Sequence, residues 1–266
     1  MFPMPVLALS PTVAALSAVA ALAYGVLAWA HQRLSPTQTR SVLASAWVLH
    51  ALVLVLSLFD TPPRFGFAPA LSVTAWLVLT VYAIESRLFP QMRARWTLAV
   101  LGIVALLLAA VFPGTHYPTL RSAWLPLHWA LGIASYGLIA AAVVHAWLMQ
   151  RAEKAMRQGA ALETAMPLLT LERLTFRFVG AGFVLLTATL LAGWYFTEIF
   201  SDHFVWNHKT VFSVLSWLTM GVLLLGRWRM GWRGRTAVRV LYLAAGLLLL
   251  GYVGSRFVLE VILHRV

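Results

Sequence analysis

Long apolar stretches nearly empty of charge limit what this chain can fold into. Eight of them run at about 6–30, 42–59, 69–84, 96–112, 126–149, 178–199, 211–225 and 240–263. Nearly all are long enough to cross a bilayer core of about 30 Å; the third and seventh are short and borrow flanking residues or tilt little. Apolar residues make up 61% of the 266 residues and charged ones 11%. A soluble domain has roughly 45–50% and about 25%. A soluble globule, a disordered chain and a collagen-like fibre are therefore excluded. An outer-membrane barrel would show short alternating strands instead. The expected fold is an all-α polytopic bundle of eight transmembrane helices, one integral membrane domain over 1–266. Eight spans of about 20 residues leave no room for a soluble domain.

The charges then orient the bundle. Lysine and arginine number 20 against 8 acidic residues, a net charge of +12. Fifteen of the 20 fall in alternate loops: Arg33, Arg40; Arg87, Arg93, Arg95; Arg151, Lys154, Arg157, Arg173, Arg177; Arg227, Arg229, Arg233, Arg235 and Arg239. The opposite set holds Arg64, Arg121, Lys209, Arg256 and Arg265. Basic residues stay cytoplasmic, so both termini are expected on the outer (periplasmic) side of a bacterial inner membrane. The positive charge is a topology signal facing the lipid bilayer, and no nucleic-acid partner is expected. The chain has no cysteine, so it can form no disulfide, thiolate metal site or CxxC pair.

Residues Met1 to Pro5 carry no positive charge ahead of the first apolar run, which makes a poor signal-peptide leader, and the first span is read as retained. The longest loop, 150–177, is expected inside. Its start, Arg151-Ala-Glu-Lys, continues the fifth helix. Its end, Pro167 to Leu174, reads as a short interfacial helix leading into span six. Trp96, Trp147, Trp228 and Trp232 fall near the inner interface and Trp124, Trp129, Trp194 and Trp206 near the outer one. Such tryptophans anchor helices, and the outer four can also wall a flat aromatic ligand.

The eight histidines are the residues with chemistry to offer. His31 and His145 sit at inner ends, within reach of headgroups. His116, His128, His203, His208 and His264 lie on the outer side. Imidazole is a common ligand of transition metals and haem iron, but no pair has the spacing of a small zinc site. His128 opens span five with Gly132 and Ser135 on its face, and Ala130, Ala134, Gly137 and Ala141 on the opposite one. The back reads as a packing face, and the front leaves space for something bulky. His128 is either a ligand or a histidine bonded to headgroup or water. His50 sits mid-span, where an ionisable group is a functional candidate, or else a neutral histidine bonded to another helix. Trp47, Leu54 and Ser57 share its face. No Asp, Glu, Lys or Arg occupies the remaining midplane stretches, which argues against a proton pump or ion-coupled carrier. Arg256 and Glu260, one turn apart, pair and snorkel outward. No Ser-His-Asp order, phosphate loop or HExxH stands out.

Four segments in the second half resemble the cytochrome c assembly, or haem-handling, membrane proteins of the CcsA/CcmC type, and within it the eight-span YpjD/HemX-like branch. They are His128-Trp-Ala-Leu-Gly-Ile-Ala-Ser-Tyr136; Leu171-Glu-Arg-Leu with Gly182-Phe183 and Gly193; Trp206-Asn-His-Lys with Ser213 to Trp217; and Gly231-Trp-Arg-Gly234. The well-matched core spans about 126–257. The resemblance implies haem presented on the outer face under a tryptophan-rich loop, with outer histidines as axial ligands. His128 matches the first of these, Trp206 and Lys209 match part of the haem loop, and His50 matches an intramembrane histidine. The implied haem-contacting set is His128, His50, Trp206, His208, Lys209 and Trp129, with His128 and His50 as iron ligands. Lys209 and Arg121 lie where haem propionates would meet positive charge.

The chain departs from the pattern at three places. Trp206-Asn-His-Lys stands where the family has Trp-Asp-Pro-Lys. Leu225 stands where a partner intramembrane histidine would fall, and Arg256 where the second outer one would; His208 or His264 are the substitutes. The expected function is therefore haem binding or handling linked to cytochrome c assembly by an accessory or regulatory member, with other cytochrome c maturation or membrane proteins as partners. The alternatives are a small-molecule permease that kept the fold and lost haem, and a non-catalytic accessory subunit of another membrane protein.

Overall fold

A computed structural model describes residues 10–30, 33–58, 64–88, 95–116, 125–158, 167–200 and 207–263. Among the described residues eight helices follow one another: α1 (Pro11–Ala30), α2 (Pro36–Leu58), α3 (Phe67–Leu88), α4 (Arg95–Val111), α5 (Leu125–Arg157), α6 (Leu168–Phe200), α7 (His208–Met230) and α8 (Gly234–Ile262). Seven are long and apolar enough to cross a membrane, and α4, with 17 residues, is shorter. The all-α expectation holds. The short third and seventh stretches lie within longer helices, α3 of 22 residues and α7 of 23. Asn207 caps the first turn of α7 by accepting from the Thr210 N–H. Large apolar side chains point outward along the helices, with Leu22 70% and Leu243 59% exposed, as a lipid-facing surface requires.

The chain forms two compact units. The first contains α1, α2, α4 and the part of α3 up to Thr80. A two-residue antiparallel pairing joins Arg64–Phe65 to Thr115–His116. Gly114 makes that turn at φ 80°, and a Cβ there would lie 2.6 Å from the Phe65 carbonyl carbon, so only glycine fits. Inside this unit Tyr24 of α1 is fully buried, its ring seated on Gly102 of α4. Trp47 stacks on Trp76 at 5.0 Å and donates to the Thr80 hydroxyl, while Trp76 donates to the Trp47 carbonyl.

The second unit contains the last turns of α3, from Val81, and helices α5 to α8. The four long helices pack in antiparallel succession, α5 on α6, α6 on α7, α7 on α8, and α8 back on α5. Its core is Ile139, Leu186, Met220, Ala244 and Leu248, with Phe183 stacked on Trp217 at 5.5 Å. Gly182 lets α6 approach α5 closely, since a Cβ there would lie 2.8 Å from Ile139. The expected interfacial helix at Pro167 to Leu174 is instead the first part of α6, which runs unbroken for 33 residues. The reason is a continuous buried stripe, Leu171, Thr175, Val179 and Leu186, at helical spacing.

One end of this bundle is held by a latch. Gly231, at φ 66°, ends α7 in a left-handed turn that returns the Trp232 N–H to the Gly226 carbonyl. Arg227 of α7 is hydrogen-bonded to Glu172 of α6 and to the Trp232 carbonyl, and it lies 4.5 Å from the Phe176 ring. Arg233 Nε lies 3.6 Å from the same Glu172. The Trp232 indole covers Gly226 so closely that a Cβ there would lie 2.5 Å from it. Gly226→Ala is therefore expected to cost about 1–3 kcal/mol through overpacking. Gly180→Ala, where nothing lies within 4 Å, should be neutral or stabilise by up to about 1 kcal/mol. Tryptophan-fluorescence melting in detergent separates the two, and equal behaviour would contradict the latch.

Candidate functional site

The end of the bundle opposite the latch gathers the start of α5, the end of α6, the start of α7 and the end of α8. His128, Trp129, His208 and Lys209 all fall there, although 80 residues separate the first pair from the second. His128 is half-buried. Its Cε1 sits in a notch at Gly193, 3.3 Å from where a Cβ would be, and its ring is hydrogen-bonded by the Thr189 backbone. That bond fixes the orientation of the imidazole. The next residues on α6, Trp194 and Tyr195, are exposed aromatics. Trp129 is half-buried, His208 is exposed on the first turn of α7, and Lys209 is half-buried with its Nζ 5.6 Å from the Tyr252 ring centroid. Trp206, Arg121, His203 and His264 lie outside the described residues.

The space expected over Gly132 and Ser135 is filled. A Cβ at Gly132 would touch Thr189 at 3.5 Å, and the buried Ser135 hydroxyl donates to the Gly182 carbonyl at 3.3 Å. Small residues on that face admit α6, so any ligand at His128 meets the imidazole at the bundle end and not between the helices. Leu225, where a second intramembrane histidine would fall, is 55% exposed on the outside of α7.

His50 belongs to the first unit and is fully buried. Its Nε2 lies 2.9 Å from the Ser72 hydroxyl, and its Nδ1 lies 3.5 Å from the Tyr24 hydroxyl, whose ring it meets edge-on at 5.9 Å. An iron ligand must turn one ring nitrogen to the metal. Here both nitrogens face hydroxyls on α1 and α3.

One pair was not read from the sequence. His145, placed near headgroups by position alone, is buried at 3% exposure against Glu85 at 5%. Its Nδ1 lies 2.8 Å from the Ala141 carbonyl, its Nε2 lies 2.8 Å from Glu85 Oε2, and its ring packs on Phe178. A carbonyl only accepts, so Nδ1 carries a proton. The second contact then needs one more proton, on Nε2 or on the carboxyl. Either arrangement leaves the pair with no net charge, which is how a buried acid and base are accommodated. The sequence signal was present but split, since Glu85 stands one residue beyond the apolar run that ends at 84.

Breaking one partner of such a pair leaves a buried group uncompensated. Glu85→Leu or His145→Leu alone is expected to cost about 3–5 kcal/mol, whereas the double variant should be more stable than either single one. A double-mutant cycle by thermal unfolding checks this, and additive losses would contradict it.

Among the described residues no cluster of three metal-ligating side chains occurs. The donor set at the bundle end suits a porphyrin better than a small metal site: one anchored imidazole, neighbouring aromatic rings and an amine for an acidic edge.

Comparison with known proteins gives consistent results. The profile of the family described as "Cytochrome C assembly protein" matches residues 36–263. An uncharacterized 28.8 kDa protein of Azospirillum brasilense is 32% identical over 74% of this chain and 76% of its own. The inner membrane protein YpjD of Escherichia coli K12 is 28% identical over 97% of this chain and all of its own. The cytochrome c biogenesis protein CcsA of Prochlorococcus marinus is 22% identical over 82% of this chain and 80% of its own. No solved structure matches the chain.

Proposed function

We propose, from the premise that the chain belongs to the cytochrome c assembly protein family, that it binds or handles haem at the end of the α5–α8 bundle that carries His128. Family membership supports a haem-handling role in cytochrome c biogenesis. The full-length likeness to an inner membrane protein supports placement in the bacterial inner membrane. The asymmetry of basic residues supports an outward-facing site, with the latch at Arg227 and Arg233 inside.

The observation that carries the reading is the setting of His128, an imidazole held by a backbone bond to Thr189 and seated in a glycine notch at a bundle end that also holds Lys209. When bound there, haem would supply its iron as the reactive centre. The chain's part is to hold and shield it. His128 would ligate the iron, Trp129 and Trp206 would pack on the porphyrin, and Lys209 would meet the propionates. His208 and His264 are the candidates for a second ligand. His50, with both nitrogens engaged by hydroxyls, is the weaker of the two histidines proposed to ligate iron. The missing acid in Trp206-Asn-His-Lys, together with Leu225 and Arg256 at the other ligand positions, favours an accessory or regulatory member over a full synthase. Other cytochrome c maturation proteins of the membrane are the natural partners.

Protein purified gently in detergent with haem supplied should show a Soret band and, when reduced, α and β bands. His128→Ala should weaken or shift them. A colourless protein that also fails to bind added haemin would overturn the haem reading and leave the permease and accessory-subunit alternatives.

A further inference from the structure

The last helix departs from regular α geometry next to the candidate site. Its hydrogen bonding widens to the five-residue repeat of a π-helix over Leu250–Gly254, returns to α over Ser255–Phe257, and widens again over Val258–Ile262. The Ser255 N–H, for example, reaches the Leu250 carbonyl. π turns are rare and concentrate at functional sites, and a break in a helix has an identifiable cause. No proline occurs in 234–262. The inserted group is Tyr136 of α5. Its hydroxyl donates to the Leu248 carbonyl and is itself hydrogen-bonded by the Tyr252 backbone. Tyr252 follows Leu248 by four residues, so in an uninterrupted α-helix those two groups would bond each other. The hydroxyl stands between them, and the wider repeat begins there.

The widening changes which side chains share a face. At 3.6 residues per turn, positions four apart drift by about 40° and positions eight apart by about 80°. A π turn takes more residues, which reduces the drift and brings Tyr252, Arg256 and Glu260 toward one row. Lys209 of α7 meets that row. Its Nζ lies over the Tyr252 ring, and its charge interacts with Glu260. Tyr252 also feels the Glu260 charge, and the Arg256 Nε and Glu260 Oε1 atoms are shielded from solvent. Two cations and one carboxylate give the row a net positive charge.

We propose that the Tyr136 hydroxyl sets the register of the end of α8, turning Arg256 and Glu260 toward Lys209, and that this row is the rim that receives the acid groups of the ligand held at His128. The ligand half of the proposal rests on the haem reading, whereas the register half does not.

The absence of cysteine allows a clean test. Nitroxide labels on Leu218→Cys and Ile262→Cys, both exposed positions, report the distance between the body of α7 and the end of α8. Tyr136→Phe keeps the ring and removes only the hydroxyl. The Leu248 and Tyr252 backbone groups should then bond directly and turn the following residues by about 100°, moving the label by about 8 Å. Deleting Gly254 in the same background removes the extra residue and should restore the original distance, which also shows that the variant folds. A distance unchanged by Tyr136→Phe, or not restored by the deletion, would overturn the register assignment.

In haem-loaded protein, Tyr136→Phe should weaken haem binding about tenfold and leave binding of haem dimethyl ester unchanged. No weakening, or equal weakening of both, would overturn the rim assignment. If the wild-type protein binds no haem, the proposed function fails while the label distances still decide the register.

Discussion

Inside a bilayer there is no water to satisfy a polar group, and most internal contacts of this chain follow from that. Backbone groups are satisfied by helices, several hydroxyls bond back to a carbonyl of their own helix, and the other polar side chains find partners on neighbouring helices. They do so in pairs that pin one helix to another: Trp47 to Thr80, His50 to Ser72, His145 to Glu85, Ser216 to the Ala244 carbonyl and Tyr136 to the Leu248 carbonyl. Apart from the His145–Glu85 pair, each is worth little by itself, about 1 kcal/mol. Their value is in specificity, because apolar helices in lipid can otherwise slide and rotate at small cost.

The family-like segments acquire physical meaning in the second unit. Glu172 in Leu171-Glu-Arg-Leu and Trp232 in Gly231-Trp-Arg-Gly234 are the two sides of one latch, joined through Arg227. Gly182 and Gly193 are the points where α6 meets α5, at Ile139 and at His128. His128 and Tyr136 share α5, where the first meets α6 at the bundle end and the second bonds α8 beside the core. Segments scattered over more than a hundred residues thus serve two layers, a latch at one end and a candidate ligand site at the other.

The helical architecture was legible because a span writes itself into about 20 consecutive residues. Side-chain partners were not, because they depend on rotation about helix axes. His50 illustrates the limit: its midspan position marked it as needing a partner on another helix, but not that Ser72 and Tyr24 would supply it from two sides. His145 shows a sharper failure. Position alone put it near headgroups, and only the packing of α5 on the last turns of α3 brings Glu85 to it. The front of α5 failed in a third way. Small residues beside His128 suggested room for a ligand, but small residues equally admit a neighbouring helix, and α6 takes the space. The π turns of α8 leave no local trace, because the hydroxyl that opens the helix comes from 112 residues earlier in the chain.

The account stands on His128 as the residue that meets haem iron. The most direct test is resonance Raman spectroscopy of the ferrous, haem-loaded protein, with and without nitrogen-15 histidine. The account predicts an iron–histidine band that shifts with the label, disappears in His128→Gly and returns when imidazole is added. A labelled-histidine band that persists in His128→Gly without imidazole would contradict it.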